Sequence, residues 1–428
     1  MRKTLAGVLA LLASYALLLL GNGLFNTLLG VRGHLEGFTS DTMGVVMSGH
    51  FVGLAIGSML AVRVVSSAGH IRAFAAFASL MSIAALCHVL WIHPVAWLGL
   101  RVVTGFSMAG TLLVTESWLN ARASAGMRGQ LLALYMMTNY LSAGAGQFLL
   151  PLADPGEFVL FAVASIAYSL ALMPLLLTRT VAPTPDPVQR ASLNEMWRVS
   201  PLGLTGALGA GLIMSSFLGM GAVFCAKVGL SLTETSVFIA SGVFGGLLLQ
   251  WPVGRLSDRF DRRWVLTAVA LVAAFASLGV IATVNGSRLL LFAAVAVYGG
   301  LATTVYSLCN AHVNDFADPA HRVRTASSLL MTYAIGACFG PLMSGQLMAH
   351  FEASALFYLT SSVLFALGLF SLYRMTRRSP ISHGRFMSLA PSTQTPAPLY
   401  GRMRDEADRD LSLYAGGRWR QRNASLRR

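Results

Sequence analysis

Residues 254–263, GRLSDRFDRR, decide how the rest of the chain is read. Four arginines and two aspartates fall within this stretch, from Gly254 to Arg263, and both of its flanks are apolar. Residues 231–253 and 264–284 carry a single charge between them, Glu234. Runs of that length and apolarity are expected to span a membrane, and a short basic loop between two of them is expected on the cytoplasmic side.

Composition extends this reading to the whole chain. Of its 428 residues 55% are hydrophobic and 11% charged, where a soluble domain carries about 25% charged. Crossing a ~30 Å hydrocarbon core takes ~20 residues of helix at 1.5 Å each, and helices are expected because backbone groups in lipid must be satisfied within their own segment. Twelve spans are expected, at 4–28, 42–65, 71–92, 95–116, 130–152, 157–178, 202–226, 232–254, 264–284, 288–311, 325–349 and 353–374. The first follows Arg2 and Lys3 as a signal peptide would, yet it runs on to Leu29 without a convincing cleavage site, so it is read as an uncleaved helix. With both termini cytoplasmic, 27 of the 31 lysines and arginines fall on inner segments. Arg32, Lys227 and Arg288 lie outside and Arg101 lies within a span, a bias that sets the orientation.

The net charge of +14 then follows from topology and from a basic tail. Nucleic-acid binding would want basic residues interleaved with aromatics on a folded domain, whereas residues 375–428 are rich in Pro, Ser and Arg and are expected to be a disordered cytoplasmic tail. Residues 179–200, with prolines at 183, 185 and 187, read as a linker between halves 1–178 and 201–374. Ser192 and Glu195 have capping-box spacing for a short helix after those prolines. Internal duplication is legible too: an arginine precedes a glycine by sixteen residues at Arg128–Gly144 and again at Arg324–Gly340. Four cysteines sit singly in four spans, with neither disulfide nor metal spacing, and no cofactor or metal is expected.

The loop resembles the signature GxxxDRxGRR of the major facilitator superfamily, departing from it only at Asp261, where that family has glycine. Ser66, Ser67, Gly69, His70 and Arg72 form a worn copy after span two. Arg101, Gly105 and Ala109 resemble the superfamily pattern RxxxGxxxA in span four, and Gly336, Gly340, Pro341 and Gly345 resemble its glycine-proline pattern in span eleven. With ESWLNARASAGMRGQLLALYMM and LQWPVGRLSDR, the chain is most similar to the bacterial YcaD-like branch. The resemblance covers residues 1 to about 374. It implies an all-α integral membrane fold of two pseudo-symmetric six-helix bundles, in a bacterial inner membrane, moving a small solute by alternating access with spans 1, 4, 7 and 10 around a cavity.

In the loop, Asp258 is expected to accept hydrogen bonds at another helix's N-terminus, at span eleven by pseudo-symmetry, with Gly254 allowing close approach. Arg259, Arg262 and Arg263 are expected to pair with acids at helix ends, for example Asp315. The alternative is a solvated loop that only sets topology. Glycines 105, 336 and 340 with Pro341 are expected to pack helices and kink one of them. Glu116 ends span four and either pairs with Arg72 or Arg122 or carries a proton.

Intramembrane polar residues carry the functional expectation, because an unpaired charge in hydrocarbon costs several kcal/mol. Arg101 is the clearest, roughly 10 Å below the outer surface at 1.5 Å per residue. Either it lines the cavity and binds an anionic group or modulates a proton carrier, or it snorkels outward. Asn22 and Asn26 share a face of span one, and His50 sits mid-helix among small residues, where packing is its alternative role. Asn139, Tyr140, Gln147, Gln250, Tyr298, Tyr306 and Asn310 complete the candidates. None of the seventeen acids sits mid-span, so a proton carrier would have to be Glu116 or a histidine, and neutral or anionic cargo is favoured over cationic. Two readings result: a monomeric exporting transporter, with proton coupling left open, or a transporter-like membrane sensor or scaffold. No metal-spaced His cluster, nucleophile elbow or phosphate loop supports an enzyme.

Overall fold

The computed structural model describes residues 2–122, 128–177, 193–317 and 322–377. The expected tail from 378 onward and the proline-rich part of the linker lie outside these residues. All regular structure within them is helical. A first group comprises α1 (Arg2–Leu35), α2 (Ser40–Ala68), α3 (His70–Leu90), α4 (Pro94–Arg122), α5 (Arg128–Gln147), α6 (Val159–Leu170) and α7 (Leu172–Leu176). After a short α8 (Leu193–Val199) come α9 (Pro201–Lys227), α10 (Leu232–Arg259), α11 (Arg262–Thr283), α12 (Arg288–Phe316), α13 (Arg322–His350) and α14 (Ala355–Arg377).

Eleven segments among the described residues are long and apolar enough to cross a membrane, α6 and α7 together making one of them. Helix α5 occupies the remaining place in the order of twelve but falls short in apolarity, since Gln130, Thr138, Asn139, Ser142 and Gln147 interrupt its twenty residues. Two of them, Asn139 and Gln147, are satisfied by the neighbouring α1. Gln147, 4% exposed, donates to the carbonyl of Gly23 at 3.1 Å and accepts from Thr27.

Packing repeats between the groups. Helix α1 lies on α5 as α9 lies on α13, α2 on α4 as α10 on α12, and α3 on α6 as α11 on α14. Small residues make the tightest of these contacts possible. A Cβ on Gly105 would fall 1.9 Å from the carbonyl oxygen of His50, and one on Gly336 would fall 2.0 Å from that of Leu208, so α2–α4 and α13–α9 meet backbone to backbone. Across the boundary α2 meets α13, α5 meets α10, and α1 meets α9.

Thr39 stands at the N-cap of α2 and Asp41 in its first turn, where its charge complements the helix dipole. Helix α10 opens on a capping box that the sequence spells as SLTE: Ser231 accepts from the backbone of Glu234 at 3.2 Å, and Glu234 accepts from the backbone of Ser231 at 2.8 Å. Glu234 also pairs with Arg288 at 2.7 Å. Arg32, expected as an outer loop charge, is buried at 7% exposure, donates to the carbonyls of Pro155 and Gly156, and pairs with Glu36 at 2.6 Å.

Candidate functional site

A cavity of about 200 Å³ lies between the two groups of helices. Asn22 and Asn26 of α1, His50 of α2, Arg101 of α4 and Asn139, Tyr140 and Gln147 of α5 line it. The facing wall is mostly apolar, with Met214, Phe217 and Leu218 of α9 and Ile239 and Val243 of α10. Helix α12 contributes Thr303 and α13 contributes Tyr333. Spans 1, 4, 7 and 10 thus all reach the cavity, and spans 2, 5, 8 and 11 reach it as well.

Arg101 is 1% exposed and donates from Nη1 to Oδ1 of Asn26 at 2.7 Å. Its Nε and the Nδ1 of His50 are buried without a hydrogen-bond partner among the described residues. Buried and held by Asn26, the guanidinium is turned inward. Asn139 donates to the hydroxyl of Tyr15 at 2.8 Å, and Tyr15 stacks on Tyr135 with ring centroids 5.0 Å apart. Tyr135 in turn donates to Glu116 at 3.1 Å.

Five sequence candidates lie off the lining. Glu116 is buried at 3% exposure beneath the cavity against Tyr135; Arg72 is exposed, and the side chain of Arg122 lies outside the described residues. Tyr298 is fully buried in an aromatic cluster, 5.7 Å from Phe217 and 5.6 Å from Phe357 by ring centroids, because that face of α12 turns toward its own group of helices. Tyr306 packs on Tyr333 at 5.0 Å. Asn310 accepts from Asn314 at 3.3 Å near the end of α12. Gln250 accepts from Tyr140 at 2.7 Å and donates to Ser307 at 3.4 Å, so it joins α5 to α10 and α12. Sequence reading missed Tyr15, Phe217 and Tyr333. Tyr15 was within reach of it, since 15, 19, 22 and 26 form one helical stripe with the asparagines.

At the end of the molecule opposite the arginine-rich loops, the groups close on each other. A Cβ on Gly44 would lie 2.5 Å from the carbonyl oxygen of Pro341, and one on Gly345 would lie 2.5 Å from that of Ser40. Lys227 of α9 reaches over the seam, donating to Ser40 Oγ of α2 at 3.2 Å and to the Met348 carbonyl of α13 at 2.8 Å. Lys227→Met should weaken this closed end by roughly 1.5–3 kcal/mol, the net worth of a hydrogen bond to a charged group. A membrane-impermeant thiol reagent should then label a cysteine placed at Leu218 about tenfold or more faster from that side. Unchanged labelling would leave Lys227 without a role in the seal.

Comparison with known proteins now bears on this architecture. The sequence pattern of the Major Facilitator Superfamily matches residues 11–251 and 225–405. The chain belongs to the Major Facilitator Superfamily. Among its relatives, the MFS-type transporter YcaD of Shigella flexneri serotype 5b is 28% identical over 84% of this chain and 93% of its own length. The YcaD of Escherichia fergusonii is 27% identical over 88% and 98%. A structure of a mutant of the nucleoside transporter NupG superposes with a TM-score of 0.73 at 14% identity, covering 86% of this chain and all of that one. A bacterial homologue of the human lysosomal transporter Spinster, inward-facing and unoccupied, gives 0.65 at 17% identity over 87% and 96%. This is a membrane transporter of the superfamily's YcaD branch.

The superfamily's loop signature is met here with one physical change. Where its members carry glycine, Asp261 adopts φ −56°, accessible to any residue, and its carboxylate caps α11 by accepting from the backbone of Arg263 at 3.0 Å. Burial pushes that carboxyl up, and hydrogen bonds from the side chain and backbone of Arg263 outweigh it, holding Asp261 below the usual carboxylate range. In the worn copy after α2, Gly69 keeps the glycine and uses it, with φ +82° in a one-residue turn.

The arginines divide. Arg262 pairs with Asp315 at 2.6 Å and donates to Ser257 at 2.9 Å; Arg263 pairs with Asp261 at 2.7 Å; Arg259 is exposed. Asp258 is half-buried and lies 3.4 Å from Arg262. Among the described residues α10 packs on α5, and its pseudo-symmetric counterpart α2 packs on α13. Gly254 is buried on the same helix. Pro341 sits inside α13 at its contact with Gly44, and a Cβ on Gly340 would meet Ser215 Oγ at 2.0 Å.

Proposed function

We propose that this protein moves a small organic solute across a bacterial inner membrane by alternating access, as a monomer with cytoplasmic termini, and that it exports. The observation that carries the reading is a polar-lined cavity on the boundary of two internally repeated helix groups, sealed at one end by the α2–α13 backbone contact and Lys227. A seal made of glycines and one lysine can be broken by rotating one group against the other, without unpacking either. The excess of arginines at the opposite end supports the orientation. Neutral or anionic cargo fits the cavity, because no Asp or Glu lines it among the described residues. For the same reason a proton carrier, if the cycle uses one, has to be Glu116 or a histidine such as His50.

We assign Gly254, Asp258, Arg259, Arg262 and Arg263 to a latch on the α10–α11 connection, acting against α5. Flux of labelled solutes into proteoliposomes tests the reading as a whole. Asp258→Asn should keep membrane levels, slow that flux several-fold and change labelling of cysteines at the two ends of the cavity. No flux for any solute in a broad panel, from protein that is folded and reconstituted, would favour the sensor or scaffold reading.

A further inference from the structure

The cavity is chemically lopsided in a way that selects a ligand class. On one side Arg101 presents a guanidinium that cannot be neutralised at cellular pH. Its Nη1 is held by Asn26 at 2.7 Å, but Asn26 is a neutral partner, and the guanidinium Nε is buried with no acceptor. The nearest acid on its own helix, Glu116, lies fifteen residues away, or ~22 Å along α4. His50, also on the lining, leaves Nδ1 without a partner. Asn22 stands one turn from Asn26 and makes no side-chain hydrogen bond among the described residues, so its amide too is free to meet a ligand. A buried cation beside unsatisfied polar atoms leaves a polar deficit, and an oxyanion removes it with charge-assisted hydrogen bonds.

Across the cavity the chemistry is different. Phe217, Leu218, Ile239 and Val243 offer carbon, and Gly219 and Gly242 between them bring backbone to the cavity wall. A fully polar anion such as phosphate would lose hydration against this wall and gain nothing there, whereas an apolar group would gain from leaving water.

We propose that the transported solute is an amphiphilic organic anion, its carboxylate seated on Arg101, Asn26 and His50 and its apolar body laid against α9 and α10. This rests on the transport reading only for the word "transported"; the binding site stands on its own geometry.

The test uses full-length protein in lipid nanodiscs at neutral pH and matched probes: phenylacetate and 4-phenylbutyrate, their primary amides, and acetate. Binding is read by calorimetric titration and by thermal stabilisation. The acids should bind at least tenfold tighter than their amides, and acetate should bind at least tenfold more weakly than 4-phenylbutyrate. Arg101→Gln should weaken acid binding by about 10–100-fold, the range for a hydrogen bond to a charged group, and leave the amides as they were. Asn26→Leu should narrow the acid–amide gap in the same direction, and it decides the matter should Arg101→Gln fail to fold. Acids and amides that behave alike in the wild type, including no binding by either, overturn the proposal. A gap that survives Arg101→Gln also overturns it, and acetate binding as well as 4-phenylbutyrate overturns the apolar half. Proteoliposome flux separates the two claims. Acid-selective binding without flux keeps this site and removes transport; flux of neutral solutes without acid-selective binding keeps transport and removes this site.

Discussion

Gly345→Val should stop the transport cycle while leaving the protein folded. The first atom of the new side chain would lie 2.5 Å from the carbonyl oxygen of Ser40 and 2.7 Å from Cα of Gly44, well inside contact distance. Both obstacles are backbone of α2, which cannot swing aside as the end of a flexible side chain can. The strain falls on the boundary between the helix groups, so it is relieved by holding α13 away from α2. Overpacking costs about 1–3 kcal/mol, and at 1.4 kcal/mol per decade the upper end moves the equilibrium between open and closed states by about 100-fold. Flux should fall by a similar factor. A cysteine at Leu218 should become persistently reactive from the end that the seam normally closes. Gly44→Val should act alike from the other side of the seam, since its Cβ would meet the Pro341 carbonyl at 2.5 Å. Wild-type flux and labelling in both variants would show that the α2–α13 contact is not a gate.

Asp315→Ala should be among the most destabilising single substitutions in the described residues. Arg262 and Asp315 are 1% and 2% exposed as side chains and meet at 2.6 Å between Nε and Oδ2. Removing the carboxylate leaves the buried guanidinium with the longer, 3.4 Å contact to half-buried Asp258 in place of the 2.6 Å pair, a change worth about 3–5 kcal/mol. The pair also ties the start of α11 to the end of α12, so the loss is expected to loosen the arginine-rich end first. Thermal unfolding of purified protein should show the drop directly. Replacing both partners, Arg262→Met with Asp315→Leu, should recover most of it, because the stranded charge is then gone. A double variant as unstable as Asp315→Ala would mean that the contacts of Arg262 with Ser257 and Asp258 outweigh the stranded charge.

The pairing of Arg262 with Asp315 was readable in advance because both sit at helix ends on one side of the membrane, where an arginine-rich loop has few acids to choose from. Asn22, Asn26 and Arg101 were readable as cavity residues for a similar reason: lipid leaves a mid-span polar group few places to go. Tyr298 and Tyr306 misled, because a tyrosine ring is as much at home in an aromatic cluster as beside water. Phe217 and Tyr333 carried no signal at all, being ordinary apolar spellings of a span.

Local hydropathy is a property of short windows, so span order and family were determined by the sequence by itself. Even the weak apolarity of α5 is visible there, as the polar residues that keep it from standing in lipid alone. Which side chains share the cavity, and where the halves touch, was decided only by the tertiary structure. Gly44 and Gly345 stand 301 positions apart, and nothing in either neighbourhood says that their backbones will meet. A span's sequence constrains the outward radius of its helix, lipid or protein. Its rotation and its partner are set by interdigitation with helices encoded elsewhere, where one missing Cβ on each side decides whether two backbones can close.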